Sequence, residues 1–300
     1  MNKLLIIKTG AAGDVLRTTV LMHFYSGWEI DWLVAPENRP LLNGHRLARI
    51  IDDIKSLDSA RSYDLVICLE DDEKFVRDVF SRIKTSRIFG SHIDANGHIT
   101  YTPDAAGWFD LSLISRFGID KANELKLKNR KSYQELVVNS LGMTFKNEGY
   151  VMPDTSQSTS LLGDIAIVPQ AGSRWPIKTW AYFDRLRDEL SRDYAVNILP
   201  TRKTLMEHLA DVKQHRLLVT PDSLPMHIAV GFRIPTIAIF TCTSPWEIYD
   251  YGIMTKVISP KLEKYFYSRE YHEEAVTSVT DDEVLRLVHA RMKTISGETQ

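Results

Sequence analysis

Cysteine is nearly absent from this 300-residue chain: Cys68 and Cys242 stand far apart, each in an apolar run. That excludes a disulfide scaffold, a cysteine-rich zinc site and an iron–sulfur cluster, and it suits a reducing, cytoplasmic compartment. An excess of charge is missing too. Lys and Arg number 37 against 39 Asp and Glu, a net charge of −2, so a polybasic nucleic-acid binder is not expected. No run reaches the ~18 consecutive apolar residues of a membrane-spanning helix. Met1–Thr9 is too short and too quickly followed by glycine for a secretory signal, and reads as a strand. The 9 histidines form no HxxxH or HExxH pair, so no metal is expected. GxGxxG and GK[ST] are both missing, which leaves neither a dinucleotide fingerprint nor a P-loop.

What the chain does have is a strand–helix rhythm. Leu4–Ile7, Ile30–Ala35, Tyr63–Leu69 and Arg87–Gly90 read as strands, with a helix over Asp14–Tyr25. A second series holds strands at Ile165–Val168, Val196–Leu199, Leu217–Thr220 and Thr236–Phe240. Its helices are expected at Lys178–Arg192, Thr204–His215, from Leu224, and at Asp281–Ile295. Between the series, Met152–Gly163 is polar and Ser/Thr-rich, as a linker is. The fold class is therefore α/β, two Rossmann-like domains facing across a cleft, over 1–155 and 156–300.

Four segments at strand ends carry the polar chemistry. The first, from Lys8 to Thr19, places Gly10 and Gly13 where a backbone can approach a ligand, and puts Asp14 at a helix start. Asp14 reads either as an N-cap or as a carboxylate aimed into a cleft. The second, Gln170–Trp180, offers Gly172 and Ser173 as donors and Arg174 and Lys178 as cations near a helix N-terminus. Cations there oppose the helix dipole, so a phosphate is their natural partner; a solvated loop over core tryptophans is the alternative. The third, Thr220–Ala229, has Asp222 to brace a turn, Ser223 to open a helix, and His227 one turn in, either as a site residue or as a packed one. The fourth, Phe240–Pro245, contributes the hydroxyl of Thr243 or is an ordinary polar loop. Asp52-Asp53 and Asp71-Asp72 read as solvated faces or caps.

In order and spacing, these segments resemble the ADP-heptose:lipopolysaccharide heptosyltransferase family, glycosyltransferase family 9. The matching stretches are KTGAAGDVLRTT at 8–19, YDLVICLE at 63–70, NRKSYQELV at 129–137, QAGSRWPIKTW at 170–180, TPDSLPMHIAVGFRIPTIAIF at 220–240 and TSPWEIYDYG at 243–252. The resemblance implies a GT-B fold, with an N-terminal acceptor-binding domain and a C-terminal nucleotide-sugar-binding domain. It also implies that the last helix, about 281–295, packs back on the N-terminal domain. The implied reaction is an inverting, metal-independent transfer of a heptose, without cofactor, from ADP-heptose to a saccharide such as the lipopolysaccharide inner core. Its implied place is the cytoplasmic face of the inner membrane, with a lipid-linked acceptor and a peripheral association.

By the same resemblance, Asp14 matches the family's general base, and Lys178 the lysine that contacts the donor phosphates. Asp222, Ser223 and His227 match the donor loop. Gly13, Gly172, Ser173, Arg174, Leu224 and Thr243 complete the expected donor set. Acceptors bind the N-terminal half in this family, so Arg17, Thr18, Arg39, Arg46, Arg49 and Arg61 are candidates for an anionic acceptor. The chain departs from the pattern in three places. Leu224 stands where many relatives have glycine. The stretch from Leu199 to Leu217 is short, so Thr201 and Arg202 stand where the nucleoside is held, and Lys261–Val276 lacks the cysteine cluster of some relatives. Competing readings are a non-catalytic nucleotide-sugar binder, and a sugar-nucleotide epimerase or NAD-dependent oxidoreductase of similar fold. The missing GxGxxG counts against the last.

Overall fold

The computed structural model describes residues 1–107, 111–155, 157–172 and 174–297. The chain divides into two compact units, Met1–Asp154 and Thr155–Gln300.

In unit 1 the strands are β1 (Lys3–Ile7), β2 (Glu29–Leu33), β3 (Arg49–Ile51), β4 (Ser62–Tyr63), β5 (Leu65–Cys68), β6 (Lys84–Thr85), β7 (Ile88–Ile93) and β8 (Ile99–Tyr101). The helices are α1 (Ala12–Thr18), α2 (Leu21–Phe24), α3 (Glu73–Phe80), α4 (Leu111–Phe117), α5 (Ile119–Lys128) and α6 (Tyr133–Ser140). Six strands form one sheet in the order β3-β2-β1-β5-β7-β8, and β4 pairs with β6 apart from it. The pairs are parallel except β7 with β8. Leu4 to Ile7 are all fully buried, as expected of a central parallel strand covered on both faces. Chain order reverses between β1 and β5, so the crevice at their carboxyl ends is the switch point of this sheet. On β7, Gly90 is required where it pairs with Cys68 of β5. Its φ is +96°, and a Cβ would lie 2.0 Å from the carbonyl oxygen of Cys68.

One polar cluster lies inside this unit. Asp31, fully buried on β2, accepts from both Arg49 (2.7 Å) and the Tyr63 hydroxyl (2.7 Å). Arg61 joins it and also reaches Glu29 (2.8 Å). Burial, then the Asp31 carboxylate, pushes the Tyr63 hydroxyl up to about 12.

Unit 2 has β9 (Gly163–Ile167), β10 (Val196–Ile198), β11 (His215–Pro221), β12 (Thr236–Phe240) and β13 (Met254–Ile258). Its helices are α7 (Phe183–Leu190), α8 (Leu205–Lys213), α9 (Leu224–Gly231), α10 (Glu273–Val276) and α11 (Asp281–Ser296). The sheet is parallel throughout, in the order β10-β9-β11-β12-β13, with its switch point between β9 and β11. Ile165, Ile167, Leu217, Val219, Ile237 and Ile239 form the sheet side of the core, against Leu186 and Leu190 of α7. Thr204 and Glu207 close a capping box at the start of α8. Thr280 caps α11, whose first turn holds Asp281, Asp282 and Glu283 and whose end is closed by left-handed Gly297.

Four expectations need correction. The helix expected over Asp14–Tyr25 is two helices, α1 and α2. The hydroxyls of Thr18 and Thr19 bond back to the carbonyls of Asp14 and Leu16 (2.6 Å each) at the break, a local alternative to continuing the helix. The helix expected from Lys178 starts at Phe183, because Pro176–Lys178 forms a 3₁₀ turn and the next residues are pinned elsewhere. Trp180 Nε1 donates to Val279 O (2.9 Å) and the Ala181 amide to Val276 O (3.0 Å). The strand expected over Tyr63–Leu69 is divided at Asp64, and the one at Arg87–Gly90 extends to Ile93 to meet the antiparallel β8. Within unit 2, Val284, Val288 and Met292 of α11 enter the core, Asp281 pairs with Arg185 (2.7 Å), and Arg291 donates to Ile253 O (3.1 Å).

The Asp31 cluster gives a first prediction. Asp31→Ala leaves two guanidinium groups without their shared carboxylate, and breaking such a buried pair costs about 3–5 kcal/mol. Urea unfolding of the variant should show unit 1 losing structure at a clearly lower midpoint. An unchanged midpoint would mean that the cluster contributes nothing to the fold.

Candidate active site

The switch point of unit 2 gathers most of the expected residues. Lys178 ends the 3₁₀ turn after β9 and meets Asp222 just beyond β11, with Nζ 2.8 Å from Oδ2 and 3.0 Å from the Asp222 carbonyl. The two side chains are 12% and 16% exposed, so the pair is largely withdrawn from water. Thr243, beyond β12, donates to the same Oδ2 (2.7 Å). Thr241 Oγ1 ties that loop to Ile177 O (2.8 Å), one residue before the lysine. Three strand ends are thus held by one carboxylate. Burial alone would raise the Asp222 pKa. The Lys178 charge and its hydrogen bond, then His227 and the Thr243 hydroxyl, outweigh that and hold it at about 2.

Trp175 forms the floor of this loop. The Lys178 ammonium sits 5.2 Å from its ring centroid, and the Trp175 amide donates to Gly172 O (3.2 Å). Gly172 has φ +77°, a left-handed backbone that glycine takes without strain. Arg174 is exposed. Ser173 lies outside the described residues.

Ser223 is the N-cap position of α9, but its side chain makes no cap hydrogen bond. Its Oγ lies 3.2 Å from both the Thr220 Oγ1 and the Pro221 carbonyl. Pro225 has no amide hydrogen, and the Met226 amide already donates to Ser223 O (3.1 Å), so this helix start offers fewer donors than its length suggests. Leu224 is the first residue of α9 and is not among the positive-φ residues, so no glycine is needed there. His227 is buried in α9.

In unit 1, Asp14 is not an N-cap. Ala11 holds that position, and Asp14 stands in the first turn of α1, with Gly13 buried beside it. Arg17 pairs with Asp14 (2.8 Å) and lies 3.9 Å from the centre of the Tyr133 ring. Thr18, fully buried, shares a hydrogen bond with the Tyr133 hydroxyl (2.8 Å). Thr18 therefore fastens α1 to α6. Arg49 is committed to Asp31, Arg61 to Asp31 and Glu29, and Arg39 to Asp52 (3.0 Å). Arg46 is exposed.

Thr201 is exposed, and Arg202 is clamped by the buried Asp211 of α8, which also accepts from Thr159 (2.6 Å). This ion pair lines a polar recess with Gln157, Ser158 and Glu207. Sequence reasoning missed Asp211, Tyr133 and Glu70. Glu70 lies beyond β5, accepts from the Thr9 amide (2.6 Å), and stands 3.4 Å from the buried Lys8 ammonium. Asp72 caps α3 and Asp53 caps a 3₁₀ turn, as their pairs suggested. Among the described residues, no group of three His, Cys, Asp or Glu side chains is placed to hold a metal ion.

Residues 178–274 match the profile of glycosyltransferase family 9 (heptosyltransferase), a span that contains Lys178, Asp222 and Thr243. No curated protein matches the chain. Among solved structures, the glycosyl transferase family 9 protein from Veillonella parvula gives a TM-score of 0.66 at 14% identity, over 98% of this chain and 97% of that one. E. coli ADP-heptose lps heptosyltransferase II gives 0.62 at 16% identity, over 98% and 99%. E. coli heptosyltransferase WaaC, solved with ADP-2-deoxy-2-fluoro heptose, gives 0.58 at 15% identity, over 96% and 99%. The fold is that of these proteins, GT-B, built from two α/β units.

The Asp222 carboxylate makes a second prediction. Its folded pKa, about 2, lies below the ~3.9 of an unfolded Asp, so its stabilising effect is complete above pH ~4 and is lost as the pH falls through 2. Lys178→Met should destabilise unit 2 by a few kcal/mol, since it strands a buried carboxylate. Adding Asp222→Asn should return much of that loss and flatten the acid limb of a melting-temperature profile. Strictly additive losses in the double variant would reject the pairing.

Proposed function

We propose that the chain is a glycosyltransferase of the family 9 kind, working from a nucleotide-sugar donor, and that it transfers a heptose from ADP-heptose to a saccharide acceptor; the match of residues 178–274 to the family 9 profile supports this reading. The observation that carries this reading is the Lys178–Asp222–Thr243 cluster at the switch point of unit 2, inside the matched span. A parallel sheet presents its ligand site at that point. Lys178, fixed by Asp222, meets the negative charge that grows on the diphosphate as the glycosidic bond breaks. Losing one preorganised donor of this kind raises the barrier by about 3 kcal/mol. The departing charge is met by a side chain, so the proposed transfer needs no metal ion.

Asp14 is the proposed base. It takes the proton of the acceptor hydroxyl as that oxygen attacks the anomeric carbon, with inversion. Arg17 and Tyr133 hold its orientation, and such a base contributes roughly 10²–10⁴-fold. The exposed Arg46 is available to an anionic acceptor such as lipopolysaccharide inner core. The proposed setting is the cytoplasmic face of the inner membrane. No helix among the described residues is long and apolar enough to cross a membrane.

Calorimetry with ADP, UDP and GDP, with and without Mg²⁺, tests the donor. ADP should bind selectively without metal, and Lys178→Met should weaken it at least tenfold. Binding of UDP or GDP instead would replace the donor. Asp14→Asn should keep ADP affinity within twofold and lower heptose transfer by at least a hundredfold. Transfer at the wild-type rate in that variant would remove Asp14 from the reaction, and donor binding with no transfer to any acceptor would favour a non-catalytic binder.

A further inference from the structure

Lys178 is not the only cation on the Trp175 indole. The Arg269 guanidinium also lies 5.2 Å from the ring centroid, so the two cationic groups stand within twice that distance of each other. Their electrostatic situations differ. The Lys178 charge is balanced by Asp222. Arg269 has no carboxylate within ion-pair reach among the described residues, and its neighbour Glu270 lies beside His272 (3.9 Å). Arg269 is exposed, so its guanidinium keeps its hydrogen-bond donors for solvent or ligand.

The segment that carries Arg269 is fastened to the same loops. The Tyr267 amide donates to Cys242 O (2.7 Å), its ring meets Trp175 edge-on at 6.0 Å, and its hydroxyl donates to Glu247 (3.0 Å). Arg269 lies two residues from these ties, which fasten its segment to the Trp175 and Cys242 loops. An indole face attracts a cation by about 0.5–1 kcal/mol at exposed sites. That is enough to orient the guanidinium and too little to satisfy its charge, and an anion arriving at Lys178 would meet it.

We propose that Arg269 is a second cation for the donor diphosphate, presented to it by Trp175. This rests on the reading that the donor's diphosphate lies at Lys178. Two cations with different roles suit a leaving group that gains charge as the bond breaks. The neutralised Lys178 fixes the position of one phosphate, and the planar guanidinium accommodates two oxygens at once.

The test compares wild type, Arg269→Gln and Arg269→Lys in calorimetric titrations with ADP, inorganic pyrophosphate and adenosine at two salt concentrations. Arg269 is exposed, so the variants should melt as wild type does. Arg269→Gln should weaken ADP and pyrophosphate about tenfold, the scale of one charge-assisted hydrogen bond. It should also reduce the salt sensitivity of ADP binding and leave adenosine unaffected, while Arg269→Lys should recover part of the loss. ADP bound by wild type and equally well by Arg269→Gln would overturn the assignment while leaving the donor reading intact. A wild type that binds none of ADP, UDP, GDP or pyrophosphate would overturn both.

Discussion

A buried ion pair at the point where a parallel sheet reverses its strand order is the constraint on which unit 2 turns. Lys178 and Asp222 come from loops that neither the helices nor the strands fix by themselves. Each needs the other, because a lone charge withdrawn this far from water is expensive. The pair therefore specifies the path of both loops, and Thr243 adds the loop after the next strand. What looks like a binding site is also a fastening, and the pieces of the site cannot drift apart without exposing a charge to an apolar surrounding.

Unit 1 uses a related device at its own switch point. Lys8 directly follows β1, Glu70 follows β5, and the two meet with the lysine almost wholly buried. The Thr9 amide joins the same carboxylate. The α1 helix begins three residues later, so the direction in which Asp14 leaves the sheet is set by this anchor at one end and by Tyr133 at the other. The aromatic ring works through its neighbours: it takes the Arg17 charge on its face and the Thr18 hydroxyl on its own.

The central strands were legible because burial on both faces writes a continuous apolar run, as at Leu4–Ile7 and Thr236–Phe240. The loops that meet at the switch point of unit 2 were legible through their order along the chain. What failed was whatever depends on distant partners. The helix expected from Lys178 is held off by Val276 and Val279, roughly a hundred residues on, and no local pattern announces that. Arg49 and Arg202 looked like spare cations until Asp31 and Asp211 appeared beside them. A sequence shows which side chains are charged; only the fold shows which charges are already spent. Arg269 illustrates the converse, since it drew no notice in the sequence and became informative only when the structure left it facing an indole without an acid.

The two cysteines turn this architecture into a built-in reporter. Cys68 closes β5 in unit 1 and Cys242 follows β12 in unit 2, and both are fully buried. Burial pushes each thiol up to about 11, so at pH 8 only about one in a thousand is the reactive thiolate, even before access is considered. Alkylation of either thiol must wait until its own unit opens. A mass-resolved labelling time course would then report two separate opening rates, one for each half of the molecule, without any engineered probe.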